Sequence, residues 1–389
     1  MCESSSGSNQ DTSSYDHGSQ VIVNKALLAR IEVLESEVAV CRSKLMNQKQ
    51  EYLRVSDIAH NDSLVRFYTG FQTYEVFLSF FEFLGPSVNH LNYWGDKSRG
   101  SSKRKTKLVP IDQLFMTLIK LRQNRKERDL ALRFGIAVST VSKYFITWVC
   151  FLYCHFSEIN WMPDVDQVKS TLPVAFRESY SNTYTIIDAT EIFMETPTDL
   201  QLQSSTWSSY KHHNTAKVLV ACTPNGAVNF VSDLYVGAIS DVELTRVSGL
   251  LPKLDGKQDI SVMADRGFTI RDQLKAINVD LNIPPFMEGR ARLPREGVLQ
   301  GRKIASLRIH IERVIGRIKN YSILKHTLPL TFSRIANQII CVCAWLVNFQ
   351  TVLIPPTCDS EEDTDSYLLS CFSSDSDYDG DTELSDIDV

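Results

Sequence analysis

Nine cysteines are scattered through the 389 residues, and no two of them form a CxxC pair or a zinc-finger spacing. That absence excludes a zinc-knuckle or disulfide scaffold and fits reduced thiols in a cytosolic or nuclear compartment. Cys150 and Cys154, four apart in an apolar helical pattern, read as core packing and are assigned no chemistry. No basic segment followed by an apolar run opens the chain, and the longest uncharged apolar stretch, 339–354, is broken by Asn348 and Gln350. The expectation is neither secretion nor a membrane span. Basic residues are missing altogether from 359–389, which hold twelve Asp/Glu, so with a net charge of −5 the preceding 358 residues carry +7. A mildly basic body with an acidic tail points to a polyanion-binding protein. What the chain does have is 43% hydrophobic and 10% aromatic residues, enough to build cores for two to three domains.

Residues 1–20, rich in Ser, Gly, Asn and Asp, are expected to be disordered, as is the acidic tail at 358–389. Over 21–50, Leu27, Ile31, Leu34, Val38, Cys41 and Leu45 recur at alternating spacings of four and three, the seam of a short coiled coil. Self-association into a homo-oligomer is expected from it, with packing against the body as the alternative. A helical region follows over 64–158. In it, "TGFQTYEVFLSFFEFLGP" (69–86) predicts a capping box at Thr69 and Gln72, an apolar face of Tyr74, Phe77, Leu78, Phe81 and Leu84, and a stop at Gly85-Pro86. The connection 96–107 carries six basic residues in twelve, suited to a phosphate backbone or to a solvated loop. Residues 111–153 read as a helix, a short helix ending at Phe134, a turn at Gly135 and a further helix from Val138, which is the helix-turn-helix pattern. Ser139, Thr140, Ser142 and Lys143 would open the recognition helix, although Ala137 stands where a polar cap is expected.

From residue 183 the period changes to that of strands. "TYTIIDATEIFME" (183–195) sets Asp188 on one face with Ile186, Ile192 and Met194, an expensive place for a carboxylate. Two β runs joined at Pro224-Asn225-Gly226 predict a hairpin, "SDVELT" (240–245) a capped helix, and "DISVMADRGF" (259–268) a strand ending on Asp265. A strand at 279–286 and a long helix from about 300 to 320 complete a mixed α/β sheet. That helix has an apolar stripe of Ile304, Leu307, Ile311, Val314, Ile315 and Ile318, with Arg308, Glu312 and Lys319 along one edge. Asp188, Asp265 and Glu312 thereby become candidates to converge. Clustered carboxylates repel unless a cation lies between them, and hard oxygen donors of this kind suit Mg²⁺ or Mn²⁺. A pair of such ions serves in-line phosphoryl displacement.

On the blocks "IDATEIF", "SSYKHHNTAKVLV", "LYVGAISDVELT", "VMADRGF", "LNIPPF" and "RIHIERVIGRIKNY", residues 183–350 resemble the DDE superfamily endonuclease domain of Harbinger-like transposases, and 107–158 resemble the helix-turn-helix that precedes it. The resemblance implies a ribonuclease-H-like mixed sheet with flanking helices, and Asp188, Asp265 and Glu312 as metal-binding catalytic acids. It implies a Tyr, Arg, Glu, Lys signature whose last three members match Arg308, Glu312 and Lys319; Ala305 stands at the tyrosine position. Asp241, in the block "GAISD", competes for the second acid position, with helix capping as its bland reading. Trp207, Tyr210 and Lys211 are candidates to stack on a base and hold a phosphate, or to pack. Glu191 and Glu195 read as solvated or structural, and Arg290, Arg292, Arg295, Arg302 and Lys303 as lining a DNA path or as plain surface charge.

The expected function is a nuclear, metal-dependent DNA endonuclease, with cytoplasmic presence and a separate DNA-binding partner protein as further options. Rival expectations are a silent DNA-binding scaffold on the same fold and an adaptor working through the coiled coil and tail.

Overall fold

The computed structural model of the chain describes residues 13–48, 52–95, 107–286, 294–351 and 353, with the side chains of the first helix described over 24–43. The basic connection (apart from Lys107), Arg290, Arg292 and the acidic tail lie outside the described residues. The chain divides into two units, residues 1–53 and 54–389.

Among the described residues the first unit holds one helix, Ser13–Gln48, which begins inside the stretch that composition marks as disordered. It has no proline and its only glycine is Gly18, so nothing in the covalent chain interrupts it. Leu27, Ile31, Leu34, Val38 and Cys41 are all exposed along it.

In the second unit, helix Asp62–Thr69 ends on Gly70 at φ +85°, and the next helix, Tyr74–Phe83, is capped by Thr73, whose hydroxyl accepts from the Val76 amide at 3.3 Å. The capping box expected at Thr69 is thus a helix end instead. The left-handed glycine closes the earlier helix, and the Thr69 hydroxyl turns back to the Val65 carbonyl at 2.6 Å. The buried face of Tyr74–Phe83 is correspondingly shifted to Phe77, Phe80 and the C-capping Leu84.

Three helices form the module downstream: Pro110–Gln123, Glu127–Phe134 and Val138–Ser157. Gly135, at φ +68°, permits the tight break, and the last two helices meet at 102°. Leu130, Phe134, Val141, Phe145 and Trp148 are buried along these two helices, Phe134 meeting Phe115 and Trp148 Nε1 donating to Gln113 of the first helix, while Phe145 meets Phe332. Cys150 is half-buried and Cys154 exposed, so the pair sits at the rim of that core and not inside it.

The sheet runs in the order β2-β3-β1-β6-β7, with β4 and β5 also paired to β3. Its strands are β1 (Thr183–Phe193), β2 (Trp207–Ser208), β3 (His213–Cys222), β4 (Val228–Val231), β5 (Tyr235–Val236), β6 (Ser261–Met263) and β7 (Asp280–Asn282). β1 is antiparallel to β3 and parallel to β6, and β6 is parallel to β7. This is the ribonuclease-H-like mixed sheet with flanking helices that the resemblance implies. The β3–β4 hairpin turns at Pro224-Asn225-Gly226, with Gly226 at φ +89°.

Ile187, Leu219, Ala221 and Val262 pack one sheet face against Leu244, Leu254, Phe268 and Leu274. The helix Arg295–Lys319 lies against β1 and β3. All six residues of its expected stripe are buried, and His310 beside them accompanies Pro224 of the hairpin turn, Nδ1 to carbonyl, at 2.7 Å. Burial holds the His310 imidazole down at about 4, so it is neutral and Nδ1 donates. Residues Leu330–Phe349 are long and apolar enough to cross a membrane, yet more than half of that stretch is buried inside the protein, with helix Ala336–Leu346 packed on Val138–Ser157.

Candidate active site

Asp188 stands mid-strand in β1 opposite Val220 of β3, and on its face Ile186 and Ile192 are fully buried. One carboxylate oxygen accepts from its neighbour's amide, Ala189 N, at 2.9 Å. Burial pushes the Asp188 carboxyl up to about 6; Arg308 and the Ala189 amide pull it down, while Asp265 and Glu312 add to the rise. Three acids and one guanidinium therefore share an electrostatic neighbourhood.

Asp265 lies two residues past β6. The sequence extends that strand to Asp265, but the Asp265 carbonyl accepts from Phe268 N at 3.0 Å, and this turn takes the residue out of the ladder after Met263. The carboxylate is thereby freed toward the covering helix. Arg308 Nη1 is 3.2 Å from Asp265 Oδ1, and Nη2 is 3.8 Å from Glu312 Oε1, one helical turn on. Arg308 is buried while both acids are about half exposed, and its buried Nε has no hydrogen-bond partner among the described residues. Lys319, on the same helix edge, is half-buried. Burial first, and then Lys211, lower its ammonium below the usual lysine range, against the opposing pull of Glu191 and Asp188. Lys211 belongs to the β2–β3 hairpin, where Trp207 is 44% and Tyr210 78% exposed and Lys211 Nζ lies 4.5 Å from the Tyr210 ring centroid. Of the residues expected to pack or to stack, these two aromatics are left facing solvent.

Asp241 is placed differently. Ser240, not Asp241, caps helix Asp241–Val247, its Oγ accepting from Glu243 N at 3.2 Å. The Asp241 carboxylate instead receives Lys217 Nζ at 3.1 Å, and the same ammonium donates to the Ile239 carbonyl at 3.0 Å and lies 3.9 Å from Glu191 Oε1. Glu191 also accepts from Thr215 Oγ1 at 2.8 Å, so it is a largely buried structural anion and not a solvated one. Glu195 is structural too, accepting from Leu330 N at 2.9 Å. Asp241 Oδ2 lies 3.4 Å from where a Cβ on Gly267 would stand, so the carboxylate sits beside the turn that carries Asp265. Lys217 is not among the residues that the sequence singles out. Its signal is a lysine inside "AKVLVAC", directly across the ladder from Glu191.

In the helix-turn-helix, Ser139 is exposed and Thr140 half-buried at the start of Val138–Ser157. Ser142 donates to Glu127 of the preceding helix, and Lys143 Nζ lies 5.7 Å from the Tyr93 ring centroid, so both have partners within the protein. Arg302 is exposed, and Lys303 is tied to Ser179 at 2.6 Å.

Residues 187–348 match the family described as DDE superfamily endonuclease, and residues 106–158 match the helix-turn-helix of DDE superfamily endonuclease. The chain carries a DDE superfamily endonuclease domain behind its helix-turn-helix. A comparison with curated proteins gives no match. The first matched segment takes in most of the sheet, the turn after β6 and the covering helix, and so Asp188, Asp265 and Glu312; the second takes in the three-helix module upstream.

Members of such a family typically depend on a divalent metal. Among the described residues no three His, Cys, Asp or Glu side chains form a ready-made metal-holding group. The donor chemistry nonetheless fits a hard cation: three carboxylates share one guanidinium, and two of them already bind a cationic group. Asp188, Asp265 and Glu312 would be the residues to hold such an ion, and Arg308 would compete with it for Asp265 and Glu312.

Proposed function

We propose that this protein is a divalent-metal-dependent DNA endonuclease of the transposase type, Harbinger-like in its sequence blocks, that cuts phosphodiesters at element ends and works in the nucleus. The observation that carries the reading is the gathering of Asp188, Asp265 and Glu312 around Arg308. Asp188, Asp265 and Glu312 would hold Mg²⁺ or Mn²⁺, which supplies activation of water and neutralisation of phosphate charge. The chain's own groups do the rest. Lys319, whose ammonium is disfavoured by burial first and then by Lys211, would with Lys211 take a phosphate oxyanion that relieves their repulsion. Trp207 and Tyr210 offer exposed rings on which an unpaired base stacks. The exposed start of the recognition helix at Ser139 supports duplex binding, and Arg308, paired with Asp265 and Glu312, would neutralise them until substrate or cation competes for them. In a nicking assay on element-end DNA with Mg²⁺ or Mn²⁺, the wild-type protein cuts and Asp188→Asn does not; equal cleavage by both would discard the assignment.

One observation favours a second reading. Asp265 and Glu312 both already bear an ion pair to Arg308. A domesticated protein that binds DNA on this fold without cutting would retain that pairing, and would show cation-independent DNA binding with no nicks.

A further inference from the structure

The N-terminal helix exposes Leu27 at 57%, Ile31 at 49%, Leu34 at 43% and Val38 at 47% along one line, and an isolated helix gains nothing in water from such a seam. Its pattern selects a single kind of occupant. Taking Leu27 as the d position of a heptad, d is Leu27, Leu34 and Cys41, while a is Asn24, Ile31, Val38 and Leu45. β-Branched residues at a with leucine at d favour two parallel strands, and one asparagine at a favours that state by pairing with its own copy. The flanking charges agree. In a parallel pair each g residue meets the e′ residue five positions on, so Arg30 meets Glu35′ and Glu37 meets Arg42′, two opposite-charge contacts on each side. An antiparallel pair overlapping the full seam would set Glu37 on Glu37′, Glu35 on Glu35′ and Arg30 on Lys44′. Val33 and Val40 fall at c, off the seam, each a single exposed apolar residue.

We infer that residues 24–45 bind a second copy of this chain as a parallel, in-register, two-stranded coiled coil, and that Glu37–Arg42′ contacts set the pairing. With about three heptads the association depends on concentration. The dimer stands apart from the nuclease reading, since nothing in it uses Asp188, Asp265 or Glu312.

The full-length protein tests it by sedimentation equilibrium. Wild type should reach twice the 44.1 kDa chain mass at micromolar concentration. Glu37→Arg and Arg42→Glu should each weaken self-association about tenfold by turning two attractions into two repulsions. An equimolar mixture of these two variants should regain the dimer, because positions 37 and 42′ then carry opposite charges again on both sides of the pair. A wild-type monomer, a mass above two chains, or a mixture that stays dissociated would overturn the inference. An antiparallel pair held by Arg30–Glu37′ would be broken by Glu37→Arg alone and not rescued by mixing.

Discussion

β1 carries two carboxylates three residues apart, and they are treated in opposite ways. Glu191, on the side that faces Lys217, is nearly closed to solvent and held by Thr215 and Lys217, which in turn grips Asp241. Asp188, on the other face, has among the described residues only the adjacent Ala189 amide as a hydrogen-bond donor, and shares Arg308 with two further acids. A carboxylate with dedicated partners belongs to the scaffold. One that is buried short of donors, with its pKa raised by burial and like charge, is the kind of group found at sites of chemistry. On the proposed reading, the strand thus keeps its structural carboxylate on one side and its candidate catalytic one on the other.

The largest expected effect breaks the symmetry of that pair. Asp188→Asn should lower metal-dependent nicking by a factor on the order of 10³, while Glu191→Gln, read in the same assay with protein of equal folded fraction, should lower it far less. Comparable losses would remove the distinction.

Stability sharpens the comparison from the scaffold side. Lys217→Met strands the Glu191 carboxylate in a dry site, so denaturant unfolding should show a loss of about 3–5 kcal/mol, partly recovered in the double variant with Glu191→Gln. An unchanged unfolding midpoint in Lys217→Met would show that the network holds nothing together.

On the catalytic side the sign reverses. With its folded pKa raised to about 6 from an ordinary 3.8, Asp188 binds its proton more tightly in the native state, so its ionisation lowers stability as pH rises from about 4 to 6. His310, depressed to about 4, acts oppositely: its contribution is present above about 6.5 and is lost as pH falls toward 4. The difference in unfolding free energy between metal-free Asp188→Asn and wild type should therefore be near zero below pH 4 and grow to on the order of 3 kcal/mol in favour of the variant above pH 6. A variant less stable than wild type at pH 7 would contradict the raised pKa. Smaller again is Gly226→Ala: at φ +89°, with a Leu353 carbon 2.6 Å from the new Cβ, it should cost more than about 1 kcal/mol in thermal unfolding and leave metal-saturated nicking unaltered.

What the sequence disclosed was what is local. Asp188 among isoleucines, the Pro-Asn-Gly hairpin and the Gly135 turn are each set by neighbours within a few residues, and each stands where its pattern puts it. Thr69 misled because two helix ends lie four residues apart, and a threonine fits either one; Gly70 decided which. Asp265 sits beyond its strand because of a turn hydrogen bond that apolar periodicity does not register. Lys217 was invisible as a partner of Asp241 since that contact joins positions 24 residues apart, and Arg308 could be put on the right helix edge but not between Asp265 and Glu312. Those arrangements are made by tertiary packing, which a one-dimensional period does not contain.

The central claim is that Asp188, Asp265 and Glu312 together take up a divalent cation, in competition with Arg308. Mn²⁺ binding, followed by the loss of the free-ion electron paramagnetic resonance signal, tests it without DNA or turnover. The account predicts uptake by the wild type that Asp188→Asn, Asp265→Asn and Glu312→Gln each weaken at least about tenfold, with Lys217→Met binding more nearly like wild type. Wild-type protein that leaves the Mn²⁺ signal unchanged, or binding that survives loss of all three acids, would contradict it.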